Sequence, residues 1–285
     1  VSERIVITGA AGQVGSFLAR RAEREGRRVL ALTSAQWDIT DPSAAPELTS
    51  GDVVVNCAAM TNVDAAEGDP DRAFAVNGTG AGHVARACAR AGAHVVHIST
   101  DYVFSGDFGD AGPRPYEPDD VTSPLSVYGH SKLAGEHAVL EAAPTATVVR
   151  TSWVYTGADG SDFAAVMARR ARAGEGAEVV DDQTGSPTYT GDLVTALLQI
   201  VDDGLEGCVL HAANGGAASR YEQARAVYAA VGADPDLVRP VSTDRFPRPA
   251  ARPTYSALGS RLSTAAGLAA LRPWPDAVDQ ALAEA

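Results

Sequence analysis

Short apolar runs recur through the first half of the chain. They are Arg4-Ile5-Val6-Ile7-Thr8, Arg28-Val29-Leu30-Ala31-Leu32, Asp52-Val53-Val54-Val55-Asn56-Cys57, His94-Val95-Val96-His97-Ile98-Ser99 and Ala146-Thr147-Val148-Val149-Arg150-Thr151. Most are rich in β-branched residues and close on small or polar ones, as a strand buried on both faces does. Stretches of helical spacing separate them. Val14, Phe17, Leu18 and Ala22 mark one apolar side, and Leu133, Ala134, Ala138 and Val139 mark another, behind Pro124 and Ser126. A long helix is predicted from about Asp71 to Ala91, in which Asn77 is polar among alanines and suited to bracing a neighbouring loop. This alternation through residue 151 predicts an α/β fold with a doubly wound, Rossmann-type parallel sheet.

The second half is less regular. Helices are predicted around Phe163–Ala173, Thr190–Val201 and Tyr221–Val231, a strand over Cys208–Ala212, and a closing helix from Pro275. An Arg- and Pro-rich segment runs from Arg245 to Pro253. The pattern divides into residues 1–151 with 189–213 as a dinucleotide-binding domain, and 152–188 with 214–285 as a smaller C-terminal substrate lobe. The glycine- and proline-rich stretch between Phe104 and Leu125 is long for a connection, and such loops serve as lids or partner surfaces.

Composition narrows the classes. With 285 residues and 45% hydrophobic positions, the chain can bury a sizeable core. A net charge of −13 argues against a nucleic-acid or anionic-membrane surface. No apolar run is long enough to span a bilayer and no cleavable leader opens the sequence, so a cytoplasmic setting is expected. Cys57, Cys88 and Cys208 are distant and odd in number, which fits free thiols, with Cys57 and Cys208 expected to be buried. No repeat or low-complexity segment stands out.

Candidate chemistry gathers at the strand ends. The first strand runs into Gly9-Ala10-Ala11-Gly12-Gln13-Val14-Gly15 and then a helix. In that context Gly9 lets the chain turn, Gly12 lets backbone approach a pyrophosphate, and Gly15 lets helix and strand pack closely. Free amides at the helix start would face the anion. An ordinary glycine-rich loop is the plainer reading. After the second strand come Thr33 and Ser34, where a carboxylate would normally hold ribose hydroxyls. Two hydroxyls would not repel a 2′-phosphate, which tilts the cofactor toward NADPH over NADH. Asp38 and Ile39 could lie beside the adenine, and Ala58-Ala59-Met60-Thr61 suits a flat ligand.

Thr100 ends the fourth strand, at the edge where open α/β sheets bind ligands. Tyr128 and Lys132 are four apart, hence on one helix face. An adjacent ammonium is expected to lower the phenol's pKa and make it a general acid for a carbonyl oxygen. Taken alone, the pair is weak and reads more readily as a solvated helix face. His94 and His97 should face opposite sides of their strand, a poor metal pair. His130 and His137 read as a solvated face, and Trp37 and Trp274 as packing. Arg169, Arg170 and Arg172 could meet a diphosphate or merely balance nearby carboxylates.

Several stretches, in order and spacing, sharpen this picture. They are Thr8–Gly15, Ala58-Ala59-Met60-Thr61-Asn62-Val63-Asp64, Ser99-Thr100-Asp101-Tyr102-Val103-Phe104, Tyr128–Glu136, Arg150-Thr151-Ser152-Trp153-Val154-Tyr155, Asp182-Gln183-Thr184-Gly185-Ser186-Pro187-Thr188, and Arg252-Pro253 with Ser256. Together they resemble the dTDP-4-dehydrorhamnose reductase family of the extended short-chain dehydrogenase/reductase superfamily, over nearly the whole chain. Met60 departs from the family's usual Tyr, which should alter packing beside the cofactor rather than chemistry.

The resemblance implies NAD(P)H-dependent reduction of the C4 ketone of dTDP-4-dehydro-L-rhamnose to dTDP-L-rhamnose. It implies a catalytic trio of Thr100, Tyr128 and Lys132. On the cofactor side it implies Gly9, Gly12, Gln13, Val14 and Gly15, then Thr33, Asp38, Ile39, Ala58, Ala59 and Thr61, with Tyr128 and Lys132. For the substrate it implies Thr100, Asp101, Val103, Trp153, Gln183 and Arg252, with Trp153 packed on the sugar's 6-methyl face. Some members use Mg2+ at a dimer contact; no acidic cluster in this sequence matches a metal site, so no metal ligand is assigned. A homodimer is common in the superfamily. Two alternatives stay open: a 4-ketoreductase for another dTDP-deoxysugar of secondary metabolism, and a non-catalytic dinucleotide-binding regulatory subunit. The intact trio argues against the second.

Overall fold

The apolar runs pair side by side in a single parallel sheet. In the computed structural model, which describes residues 4–157 and 160–283, they form β1 (Arg4–Thr8), β2 (Val29–Leu32), β3 (Asp52–Asn56), β4 (His94–Thr100) and β5 (Thr147–Thr151). Residues 1–3, 158–159 and 284–285, which the expected domain spans include, lie outside the described residues. A sixth strand, β6 (Cys208–His211), joins β5 at the edge, giving the order β6-β5-β4-β3-β1-β2. The chain winds outward in both directions from β1 and β3. Thr8 pairs with Asn56 and Thr100 with Thr151, so the carboxyl ends of these strands align at one rim.

Strand alternation then sets two cores. Ile5 and Ile7 point to the face covered by α1 (Gln13–Arg24) and α5 (Thr190–Asp203), where Leu18, Leu193 and Leu197 are buried. Val6 and Val54 point to the face covered by α2 (Ala81–Ala91) and α3 (Val127–Ala142), with Val84, Cys88 and Val139. A third cluster lies apart from the sheet. There α4 (Phe163–Arg172), α6 (Arg220–Ala230) and α7 (Trp274–Ala283) pack through Met167, Val227, Tyr228 and Val278, beside a ribbon of Ala177–Val180 and Val238–Val241. Trp37 is core and Trp274 half-buried.

The predicted helix from Asp71 to Ala91 is not one continuous α-helix. A short helix, Pro70–Phe74, passes into a π-helical turn, Ala75–Gly80, before α2. The widened turn seats Asn77 against the loop it was expected to brace: its Oδ1 accepts from Met60 N at 2.8 Å, and its Nδ2 donates to Met60 O and Ser131 Oγ, each at 3.0 Å. Cys88 is the fully buried thiol. Cys57 and Cys208, expected inside, are half-buried, because Cys57 borders the rim cavity and Cys208 opens an edge strand. All three are free. The Phe104–Leu125 loop is pinned rather than free: Tyr116 stacks between Phe104 and Phe108 at 4.1 and 4.7 Å and bridges to Leu258. Among the described residues no helix is long and apolar enough to cross a membrane.

Two contacts fix α3 on the sheet. Glu136, 2% exposed, holds Arg150 of β5 through bonds of 2.7 and 2.9 Å and accepts from Ser99 of β4 at 2.5 Å. Gly135 lies so near the Asn77 backbone that a Cβ there would meet the Asn77 carbonyl oxygen at 2.1 Å. Replacing Gly135 with Ala is therefore expected to destabilise the protein by about 1–3 kcal/mol or more, read as a lowered midpoint in urea unfolding. An unchanged midpoint would contradict this account of the helix contact.

Candidate active site

The rim of the sheet carries a cavity of about 400 Å³, lined by Gly12–Gly15, Ala59, Thr61, Thr100, Asp101, Tyr102, Tyr128, Lys132, Thr151, Trp153 and Arg220 among others. One end is a cradle for an anion. Gly9 has φ of +62°, and a Cβ there would lie 2.7 Å from the Ala58 backbone; one on Gly15 would lie 2.5 Å from the Gly9 carbonyl oxygen. Gly12 caps α1 without a side-chain bond, and no acidic residue occupies the first turn, so the leading amides face the cavity uncompensated. Thr151 Oγ1, also at this cavity, is buried with no hydrogen-bond partner in the protein. The residues fit a dinucleotide's phosphates.

Not every cofactor-side candidate meets this cavity. Gly9, Thr33, Asp38, Ile39 and Ala58 lie outside its lining. Thr33 Oγ1 donates to Gln36 Oε1 at 2.9 Å, Asp38 accepts from Thr40, and Ile39 is buried with its carbonyl 3.0 Å from His83 Nδ1. Gln13 does line the cavity and reaches Thr190 Oγ1 at 3.4 Å.

At the other end stands α3. Ser126 caps it by accepting from Gly129 N at 3.1 Å, and Gly129 lets its first turn approach the Tyr102 carbonyl, where a Cβ would sit at 2.3 Å. This places Tyr128 and Lys132 at the cavity beside Thr100. The Lys132 ammonium donates to the Ile98 carbonyl at 2.6 Å, and burial brings its pKa down to about 8 against the pull of Glu136 one turn on. The expected acidification of Tyr128 is corrected here. Burial pushes the phenol's pKa upward, with Asp101 and Tyr102 adding to it and the hydrogen bond with Thr100 opposing it, while the Lys132 ammonium is aimed at the Ile98 carbonyl of β4. Tyr128 is thus held firmly in its protonated form.

Asp101 is the hub beneath this pair. Its Oδ1 accepts from Thr100 Oγ1 at 3.1 Å, and its Oδ2 accepts from Ser152 at 2.9 Å and Ser256 at 2.5 Å. Asp101, read from sequence as a substrate contact, lines the cavity while its carboxylate braces Thr100. Val103, read likewise, is fully buried with Phe104, Tyr116 and Leu258 and lines neither cavity described here. Trp153 does line the cavity. It is the one non-glycine among the described residues with positive φ, +47°, and that turn sets its indole against Gly185, whose added Cβ would come within 2.4 Å. One ring face is already covered by the Arg220 guanidinium at 3.5 Å.

Arg220 was missed from sequence, although Ser219 and Glu222 form a capping box that opens α6 at this residue. It lies on the boundary with a second cavity of about 400 Å³, lined also by Tyr102, Phe163, Gln183, Phe246, Arg248 and Arg252. Burial lowers its pKa to about 10, and its guanidinium donates to Gln223 Oε1 at 3.2 Å. Gln183 donates to Thr243 Oγ1 at 2.9 Å. Arg169 and Arg170 instead donate to surface carbonyls of Gly160 and Gly176, and neither they nor Arg172 lines either cavity. His130 and His137 are exposed on α3, while His97 is buried against Asn56 at 3.0 Å. Among the described residues no group of three His, Cys, Asp or Glu side chains could hold a metal ion.

Comparison with known proteins follows the same outline. A family model described as the RmlD substrate binding domain matches residues 3–285. A dTDP-4-dehydrorhamnose reductase of Mycobacterium tuberculosis is 63% identical, covering 99% of this chain and 93% of that protein. One from Mycolicibacterium smegmatis is 59% identical over 99% of this chain and 86% of its own length. Among solved structures, a Bacillus anthracis dTDP-4-dehydrorhamnose reductase in complex with NADP superposes with a TM-score of 0.91 at 35% identity, covering both chains fully.

Burial raises the Asp101 carboxyl to about 6, above its ordinary value, despite three donors. A raised carboxyl binds its proton more tightly folded than unfolded, so the stability it contributes is full below the unfolded value and is lost as pH rises through about 6. Relative to Asp101→Asn, the wild type is expected to be more stable at pH 4.5 than at pH 7.5, measured by urea unfolding at both. A difference independent of pH would contradict the assignment.

Proposed function

The chain belongs to the dTDP-4-dehydrorhamnose reductase family, and on that premise we propose that it reduces the C4 ketone of dTDP-4-dehydro-L-rhamnose to dTDP-L-rhamnose with NADPH. The observation that carries this reading is the placement of Thr100, Tyr128 and Lys132 at one cavity continuous with the glycine cradle. The free amides of α1, with Gly12 and Gly15, would hold the dinucleotide's pyrophosphate, and Thr33 and Ser34 present no carboxylate to a 2′-phosphate. When bound, the reduced nicotinamide supplies the hydride.

The protein's own groups manage the proton and the orientation. Tyr128 stays protonated through neutral pH, so it holds a proton to give to the C4 oxygen as negative charge develops there on hydride arrival. Thr100 sits beside the phenol and turns its hydroxyl from Asp101 to the developing oxyanion. Lys132, anchored on the Ile98 carbonyl, would hold the cofactor's ribose with its remaining donors. Trp153 closes the sugar pocket with an indole that Gly185 and Arg220 hold in place. The second cavity takes the nucleoside diphosphate: Arg220, Arg248 and Arg252 supply positive charge there in a protein of net charge −13, and Phe163 and Phe246 supply flat apolar surface for the base.

Purified protein should oxidise NADPH when given dTDP-4-dehydro-L-rhamnose. Tyr128→Phe should lower turnover by about 10²–10⁴-fold while NADPH binding, followed by fluorescence, persists. Near-normal turnover in that variant would sink the assignment. Because Lys132 in the free protein loses its proton near pH 8, kcat/KM should hold below that pH and decline above it. A flat profile to high pH would show that the charge on Lys132 is not used.

A further inference from the structure

Asp64 lies outside the catalytic trio and lines neither cavity, yet it ties the two together. It sits on the short helix Val63–Gly68, directly after the Ala58–Thr61 segment whose Ala59 and Thr61 border the first cavity. Its partners come from the far end of the chain. Arg252 Nη1 donates to Asp64 Oδ1 at 3.1 Å and Nη2 to Oδ2 at 3.0 Å, a two-pronged pair. Arg248 Nη1 donates to Oδ2 at 3.2 Å, and Ala250 N to Oδ1 at 3.3 Å. The Asp64 and Arg252 side chains are only 21% and 18% exposed, so water screens this pair less than a surface pair.

Three arginines facing one cavity repel one another, and long side chains without an anchor sample many rotamers. A single carboxylate answers both problems for two of them. It also fastens the strap Arg245–Pro253, whose Phe246, Arg248 and Arg252 form one wall of the second cavity, to the segment that borders the first. Arg252 in turn lies beside the Tyr102 hydroxyl, and Tyr102 lines both cavities and packs edge-on to Tyr128 at 5.8 Å.

We infer that Asp64 is a positioning residue for substrate: it presents Arg252 and Arg248 to the nucleoside diphosphate and fastens the strap that walls its pocket. This rests on the proposed use of the second cavity for a nucleotide sugar. It separates the residue's work from hydride transfer, because Asp64 touches neither Tyr128 nor the glycine cradle. Loss of its charge should therefore weaken substrate binding and leave cofactor binding and turnover in place.

The test uses the full chain with Asp64→Asn and Asp64→Glu. For Asp64→Asn, the KM for the keto sugar and the Kd for dTDP by calorimetry are expected to rise by about fivefold or more, with kcat and NADPH affinity within about twofold. Asp64→Glu should recover part of the loss. An unchanged KM and Kd would overturn the inference, as would a parallel fall in kcat, NADPH affinity and thermal midpoint, which marks a purely structural role. A ligand-free readout keeps the test apart from the functional reading. Arg248 and Arg252 each precede proline and resist trypsin, whereas Arg245 precedes Phe246. Tryptic cleavage after Arg245 should be several-fold faster in Asp64→Asn than in wild type, and an equal rate would refute the fastening. If wild type fails to act on the sugar while cleavage still responds, the substrate assignment falls and the strap contact stands.

Discussion

The seating of α3 against β4 and β5 is the constraint on which the rest of the site depends. A buried ion pair, Glu136 with Arg150, draws the helix onto the sheet, and Ser99 shares the same carboxylate. Removing one member of such a pair leaves an uncompensated charge in the interior, at a cost of about 3–5 kcal/mol, so the contact specifies position as well as adding stability. Gly129 and Gly135 permit the approach that the pair demands, since a side chain at either would strike a backbone carbonyl. One turn before Glu136 lies Lys132, and one turn before that lies Tyr128. The phenol's location is thus a consequence of how the helix is clamped at Gly135 and Glu136, seven and eight residues further on.

Around that helix the protein assembles a line of polar supports that do not themselves touch a reacting atom. Asp101 holds Thr100 and gathers Ser152 and Ser256 from distant parts of the chain. Asn77 joins the Met60 loop to Ser131 on α3. Asp64 joins the same region to the C-terminal strap. Each support is a carboxylate or amide with most of its hydrogen-bonding capacity filled, which makes it rigid and gives it a single geometry. The cavity is consequently bordered by groups whose orientation is set before any ligand arrives.

Much of this was legible in the sequence because it is written in local pattern. Continuous Val and Ile runs announced strands buried on both faces, and the spacing Gly9, Gly12, Gly15 after a strand announced the cradle. Tyr128 and Lys132 announced one helix face. What failed was set by direction and desolvation. The ammonium of Lys132 was free to face Tyr128 or the sheet, and it faces the Ile98 carbonyl, leaving burial to govern the phenol. Val103 belongs to the same stretch as Thr100, but the chain turns there in a short 3-10 helix and carries it into the core. The sequence leaves Arg169, Arg170 and Arg172 open between a diphosphate and nearby carboxylates, and the cavity arginines are Arg220, Arg248 and the sequence-read Arg252, brought together from separate segments. The π-turn at Ala75–Gly80 had no signature beyond two polar residues and two glycines inside a helical pattern.

In the proposed reaction hydride passes from NADPH to C4 of a dTDP-linked keto sugar held between the two cavities. The most direct measurement is to supply NADPH deuterated at nicotinamide C4 on the transferred face together with dTDP-4-dehydro-L-rhamnose, and to locate the label in the isolated product by NMR. The account predicts deuterium at C4 of a sugar with the rhamno configuration. Deuterium at another carbon, a different configuration at C4, or full retention of label in the cofactor would contradict it.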